Sequence, residues 1–407
     1  MSVSTVPDWV LRFRDLIPTP CYVYSEAVLD ESLGTLRSVL PSGASPLYSL
    51  KANPQPRIAR FFNDRGVRPE VASEGEFDLC LAGGISPRDV LVGGVAKSAE
   101  FLARLCRLGC LAATVDSAAE LARLVAVPRA EGRIRFLLRV NPGIAIGGLD
   151  MGGESQFGIG VDEAIDIVRR GEHSGHEFAG LHFYFGSQRL KPDPIVKTVS
   201  IVTDVLRKFR AAGCVIPRVD LGLGCGVAYV EKDVELDMAE LKAQLAPLWA
   251  DPAWQDVELW SEAGRSLVGR SGFFVTRVLE RKQLNGRTYV MLDGGLNVHN
   301  PGVGLGRIFK SNPRFLFAPR SPDPSTDKAE ICGSLCTSAD RLGSQVQSPR
   351  LEAGDLVVIP NSGAYCHTTA MWGFNSQRVF SEALLSAGGQ LEVIEPQHRA
   401  FMRVQTP

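Results

Sequence analysis

The chain has 407 residues, more than one ordinary hydrophobic core serves, so two domains are expected. Hydrophobic residues make up 45% and charged residues 22%, as in soluble globular proteins, and 44 basic against 45 acidic residues leave a net charge of −1. No basic block suits nucleic acid, no acidic tail suits a charged partner, no run of about 18 apolar residues reads as a membrane span, and Met1 to Val10 lacks the basic-then-apolar order of a signal peptide. In chain order, Cys21–Tyr24 reads as an early strand. From residue 46 to 262 short apolar strands then alternate with helical stretches such as Ala99–Leu108 and Ala118–Val125. The candidate strands are Leu47–Leu50, Val67–Ala72, Val90–Val92, Leu111–Val115, Ile134–Val140, Phe178–Tyr184, Arg218–Leu221 and Val257–Trp260. Such alternation implies parallel pairing through crossovers, and eight units of this size fit a closed (β/α)8 TIM-type barrel. The competing open, doubly wound sheet calls for a glycine-rich turn after its first strand, where this chain has Lys51-Ala52-Asn53-Pro54.

Beyond residue 270 the pattern changes. Phe273–Leu279, Thr288–Leu292, Lys328–Ile331 and Asp355–Ile359 read as strands between Gly, Pro, Asp and Asn turns, which predicts a mainly β second domain that Cys21–Tyr24 joins. The expected partition is 1–28 with the β domain, 29–270 as the barrel and 271–407 as the β-rich domain. Ala318 to Asp327, rich in Pro, Ser and Asp, reads as a surface loop. The nine cysteines are scattered without a CxxC pair, which fits a reduced cytoplasmic compartment. Cys106 and Cys110 share a spacing of four with Cys332 and Cys336. No companion His or Cys cluster completes a tetrahedral zinc site, so no metal is expected and the first pair reads as helix packing. His173 and His176, in the polar turn Glu172 to Glu177, read as exposed loop residues.

Chemistry in such a barrel sits at the carboxyl ends of the strands, and the unusual residues fall there. Lys51 follows the first strand and Ser73-Glu74-Gly75-Glu76 the second. Arg139 and Asn141 close the fifth, and His182 to Gln188 the sixth. Asp220-Leu221-Gly222-Leu223-Gly224-Cys225-Gly226 closes the seventh, and Glu262-Ala263-Gly264-Arg265 the eighth. A lysine at a strand mouth can lose solvent and act as a nucleophile toward carbonyls. The glycines of the seventh loop let backbone N–H groups form an anion nest, which Gly264 and Arg265 extend into a phosphate cradle.

Tyr48-Ser49-Leu50-Lys51-Ala52-Asn53, with these motifs and Thr19-Pro20-Cys21-Tyr22-Val23-Tyr24 and Phe374-Asn375 at the outer limits, resembles the fold-type III pyridoxal-phosphate enzymes. That group holds the ornithine and diaminopimelate decarboxylases and alanine racemase. The resemblance implies an alanine racemase/ornithine decarboxylase-like fold and pyridoxal 5′-phosphate held covalently by Lys51. It implies a phosphate site from Gly222, Gly224, Gly264, Arg265 and Tyr365, with Ser73, Arg139, His182, Tyr184 and Ser187 around the cofactor. It places Glu262 against the pyridine nitrogen, where a carboxylate favours the protonated ring and hence a strong electron sink. Alanine racemase has an arginine there, so Glu262 points to decarboxylation. The loop Ile331 to Asp340 resembles one that crosses a dimer, which implies a homodimer with shared sites and Cys336 returning a proton to Cα in the partner's site. Thr337, Asp340 and Phe374 are the implied substrate contacts.

Departures from the family narrow the substrate. Tyr184 stands where a histidine usually stacks on the cofactor; it can still stack, without positive charge. Thr337 stands where ornithine- and diaminopimelate-type enzymes place an acid, so a distal ammonium would lack its partner. Val298-His299-Asn300-Pro301-Gly302 replaces an Arg-Pro-x-Leu-Tyr stretch. With the Gly302–Phe309 segment, these features resemble a secondary-metabolism branch acting on modified or carrier-bound amino acids. Leu223 interrupts a glycine triplet, Ala263 replaces a proline, and Gln156 replaces a lysine implied to meet Asp340 of the partner subunit. The expected activity is therefore decarboxylation of an amino acid whose distal group is not a free ammonium. The alternatives are a racemase or epimerase on the same scaffold, a decarboxylase of free diaminopimelate or ornithine, and a non-enzymatic cofactor-holding protein.

Overall fold

A computed structural model describes residues 6–146, 149–150, 153–171, 173–300, 311–321 and 325–394. The chain divides into two compact units, one of residues 34–226 and 235–266, the other of residues 1–33, 227–234 and 267–407.

The first unit is a closed parallel barrel. Its strands are β1 (Ser45–Ser49), β2 (Arg68–Val71), β3 (Leu91–Val92), β4 (Ala112–Val115), β5 (Arg135–Asn141), β6 (Glu177–Tyr184), β7 (Arg218–Gly222) and β8 (Glu258–Ala263). Each pairs in parallel with the next, and β8 returns to β1 with Ala263 opposite Tyr48. All eight expected strands are present, with ends displaced by at most three residues. Leu47, Leu91, Leu111, Ala112, Leu137 and Trp260 form one buried cluster, so bulky apolar groups fill the barrel as side-chain packing demands. Several of the helices between strands start where serines satisfy free N–H groups. Ser98 accepts from Phe101 N at 3.1 Å and Ser117 from Glu120 N at 3.1 Å.

The second unit is a nine-stranded, mostly antiparallel sheet. Cys21–Ser25 lies inside it, antiparallel to Gly272–Leu284 and parallel to Ser381–Leu385, so the early strand does join the β unit. The strand expected over Phe273–Leu279 is longer. Its first half pairs with Leu356–Ile359 and, past a bulge at Val278/Glu280, its second half forms a hairpin with Arg287–Leu292. Asn285 (φ 50°) and Gly286 (φ 73°) turn that hairpin, the Asn-Gly pair that a tight turn with two positive φ angles favours. Val10, Ile17, Val23, Val275, Leu356, Val358 and Ala383 form its core. The segment expected as a loop over Ala318 to Asp327 is strand at both ends, Leu316–Ala318 and Thr326–Cys332.

His173 and His176 correct the sequence reading. Both are buried, His173 edge-on to the ring of Phe136 and His176 accepting from the Ile134 N–H through Nδ1 at 3.4 Å. The turn's polar neighbours hid the apolar side these imidazoles pack against. No helix among the described residues is long and apolar enough to cross a membrane.

Candidate active site

Strand β1 ends in a 3-10 turn, Leu50–Ala52, that carries Lys51 just past the last paired residue. Its side chain is 34% exposed, with Nζ 3.5 Å from Glu70 Oε2 and 5.3 Å from the ring centroid of Tyr184. Glu70 projects from β2 beside Ser49 and is almost fully buried. Burial, then the charge of Glu262, push its carboxyl up to about 7 against the opposing pull of Lys51.

Glu262, on β8, is buried, and its Oε1 lies 3.3 Å from His182 Nε2 on β6. Burial alone would raise its pKa. His182 and Lys51 outweigh that and hold it at about 2, so the carboxylate stays ionised at any working pH. Burial lowers the pKa of His182 despite Glu262, and a neutral imidazole donates to the carboxylate through Nε2. Asp220, on β7, completes this buried group, and one side-chain atom from each of the three lies within 4.8 Å of the others.

Across the mouth lies the glycine loop. Gly224 has a φ of 73°, and a Cβ there would come within 2.4 Å of Gly186 O, so only glycine fits without moving the neighbouring loop. A Cβ on Gly264 would meet that of Ala52 at 2.8 Å, and one on Gly222 would strike the Tyr184 ring at 2.5 Å. Tyr184 thus packs against Gly222, with Lys51 Nζ over its ring. Arg265 is buried and donates through Nε to Ser187 Oγ at 3.2 Å. Arg189, not anticipated from sequence, laces the two loops together. It is buried, donates to Thr198 Oγ1 at 2.7 Å, Phe185 O at 2.9 Å and Leu223 O at 3.3 Å, and its own N–H reaches Gly224 O at 3.1 Å.

Of the other expected residues, Arg139 pairs with Asp116 (3.3 Å) and covers the Phe157 ring. Ser73 caps a helix by accepting from Glu76 N at 3.2 Å. Behind them sits a second unanticipated group. Lys97 Nζ lies 2.7 Å from Glu120 Oε1 and donates to the carbonyls of Thr114 (2.6 Å), Gly94 (2.9 Å) and Gly93 (3.3 Å), tying the ends of β3 and β4. Both side chains are buried. Replacing Lys97 by Met leaves Glu120 and three carbonyls without their cation and is expected to cost about 3–5 kcal/mol of stability, read from the urea midpoint.

In the β unit, Cys336 is exposed and its N–H donates to Asn375 Oδ1 at 3.0 Å. Thr337 Oγ1 accepts from Ala339 N at 3.2 Å. Asp340 was expected to meet substrate. It is buried instead and organises its own loop, accepting from Leu296 N at 2.7 Å and Leu335 N at 2.8 Å, while Gly295 and Gly333 leave room for its carboxylate. Tyr365 is half-buried, with φ 64°, and Phe374 is 39% exposed. His299 is buried on Tyr22, whose hydroxyl lies 3.0 Å from Nδ1. Pro301 to Phe309, used above to place the substrate class, lie outside the described residues.

These donors suit pyridoxal phosphate: an amine for its aldehyde, a buried carboxylate for its ring nitrogen, and an arginine with glycine-loop amides for its phosphate. A lysine and a carboxylate facing each other at the mouth of a parallel barrel, with a β-rich unit beside it in sequence, define the pyridoxal-phosphate-dependent class.

The comparisons agree. The family described as pyridoxal-dependent decarboxylase, pyridoxal binding domain, matches residues 27–269. The chain is 31% identical over 361 residues to L-glutamyl-[BtrI acyl-carrier protein] decarboxylase of Niallia circulans, covering 85% of this chain and 84% of that one. It is 28% identical over 390 residues to diaminopimelate decarboxylase of Methanothermobacter thermautotrophicus, covering 93% and 89%. Diaminopimelate decarboxylase from Helicobacter pylori complexed with L-lysine superposes with a TM-score of 0.81 at 25% identity, over 94% of this chain and 95% of that one. The chain belongs to the pyridoxal-dependent decarboxylase family. It is a carboxy-lyase, and its cofactor is pyridoxal 5′-phosphate.

Proposed function

We propose that this enzyme removes the α-carboxylate of an amino acid whose distal end is neutral or tethered to a carrier protein. The observation that carries this reading is Thr337. The loop position that bears an acid in ornithine- and diaminopimelate-type enzymes here offers only a neutral hydroxyl, already accepting from Ala339 N. A buried substrate ammonium would lack its counter-charge there, at a cost of several kcal/mol. The relative from Niallia circulans, named for a carrier-bound glutamyl substrate, supports the same class.

Pyridoxal phosphate supplies the electron sink for the pair left on Cα when CO2 departs. The protein's part is to hold and to protonate. Lys51 would hold the cofactor through its aldehyde. Glu262, ionised and supported by His182, keeps the ring nitrogen protonated. Tyr184 would pack on the cofactor, and Gly222, Gly224, Gly264, Arg265 and Ser187, joined by Tyr365, would hold its phosphate. Cys336 of a homodimeric partner returns the proton to Cα, and Phe374 forms a pocket wall.

Carbon dioxide trapped from a panel of free and carrier-bound amino acids tests the substrate. Release is expected from an acyl-carrier-bound glutamyl or similarly acylated amino acid. Turnover of free ornithine, lysine or diaminopimelate at an ordinary enzymatic rate, about 1 per second or more, would overturn the assignment. Racemisation without CO2 would overturn it too.

A further inference from the structure

Asp220 is fully buried, and neither of its carboxyl oxygens meets a hydrogen-bond donor among the described residues. In the register of the sheet it stands opposite His182 on β6 and Trp260 on β8, and one of its carboxyl oxygens lies within 4.8 Å of an imidazole nitrogen of His182 and a carboxylate oxygen of Glu262. A carboxylate with no donor, out of water and beside a second carboxylate, is a very costly arrangement. One proton removes that cost. The surroundings decide which oxygen carries it. Glu262 has His182 Nε2 at 3.3 Å and the charge of Lys51 nearby, so the negative charge belongs there.

We propose that Asp220 is a positioning residue that carries a shared proton: as a neutral carboxylic acid it donates to the Glu262 carboxylate and fixes that carboxylate toward the cofactor's ring nitrogen. The part concerning the ring nitrogen rests on the role proposed for Glu262 above; the shared proton does not. The titratable groups around Asp220 point the same way. Burial, then Glu262 and Glu70, drive its pKa well above the ordinary carboxylate range, and Lys51 opposes them without reversing the direction. The proton therefore stays through neutral pH. A buried neutral acid serving as donor to a charged neighbour keeps the charge in place without adding a second one.

The test is infrared difference spectroscopy of holoenzyme grown on aspartate labelled with carbon-13 in its side-chain carboxyl, titrated from about pH 5 to 9. An isotope-sensitive carboxylic-acid C=O band is expected across that range, and it disappears in Asp220→Asn. In kinetics, Asp220→Val is expected to lower kcat roughly tenfold to a hundredfold with little change in KM, the scale of one hydrogen bond to a charged group. Asp220→Asn, which still offers a donor, recovers most of that loss. Three results would overturn the proposal: no protonated aspartate band at neutral pH, a band that survives in Asp220→Asn, or a divalent metal bound one per chain by the three side chains. The infrared reading needs no substrate. A failure to find CO2 release from any amino acid would defeat the proposed function and leave this test intact.

Discussion

Lys51→Ala is expected to abolish turnover and, with it, the visible absorbance of lysine-bound cofactor, while the protein stays folded. The amine at position 51 is the attachment point for the aldehyde, and it sits at the end of β1, in a turn whose other residues, Leu50 and Ala52, are buried and apolar. Alanine cannot replace it chemically. Folding survives because the nearest electrostatic consequence is relieved without rearrangement: Glu70, 3.5 Å away, is already pushed up to about 7 and takes a proton once the lysine is gone, while Glu262 keeps His182. The expected loss is on the order of 10⁴-fold or more in kcat, the scale on which positioned proton transfer and nucleophile capture act. Absorbance spectra and CO2 release check it beside a thermal melt. Retained absorbance or retained turnover would count against the role of Lys51, whatever the melt shows.

The second large effect is at Glu262. Glu262→Gln keeps the shape of the side chain and removes its charge. The ring nitrogen then has no anion to hold its proton, the electron sink weakens, and kcat is expected to fall roughly 10²- to 10³-fold, the usual size of losing one preorganised electrostatic group. KM should move little, because the lost interaction matters most as charge develops. The sign of the pH dependence follows from its depressed pKa. A carboxyl held at about 2 contributes stability that is present above the ordinary carboxylate value and is lost as pH falls toward 2. Wild type should therefore lose stability relative to Glu262→Gln on acidification below about pH 4.5, and its kcat–pH profile should carry no limb from Glu262 near neutrality. An unchanged kcat in the glutamine variant would remove the carboxylate from the chemistry.

What was legible in the sequence was the frame. Strands alternating with helices announced the barrel, and residues at strand ends announced the mouth, because a parallel barrel puts chemistry at one end by construction. That reasoning brought Lys51, Tyr184, Glu262, Gly224 and Arg265 onto the page, and the structure places all of them at that mouth. It missed residues whose work depends on three-dimensional pairing. Glu70 sits in Pro69-Glu70-Val71, where nothing separates a buried acid facing Lys51 from an ordinary polar strand residue. Lys97 and Glu120 are 23 residues apart, and no motif joins them before the ends of β3 and β4 bring them to 2.7 Å. Arg189 lies outside every motif, and its use is set by where Phe185, Thr198 and Leu223 meet in space. Asp340 shows the converse. Read as a substrate ligand from its place in a motif, it instead holds its loop together from inside.

The central claim is that Lys51, and no other lysine, carries the cofactor in this barrel. Borohydride reduction of the holoenzyme followed by proteolysis and mass spectrometry tests it directly. The reduced pyridoxyl phosphate mass is expected on the peptide containing Lys51. Finding that mass on another lysine, such as the buried Lys97, or on none, would contradict it.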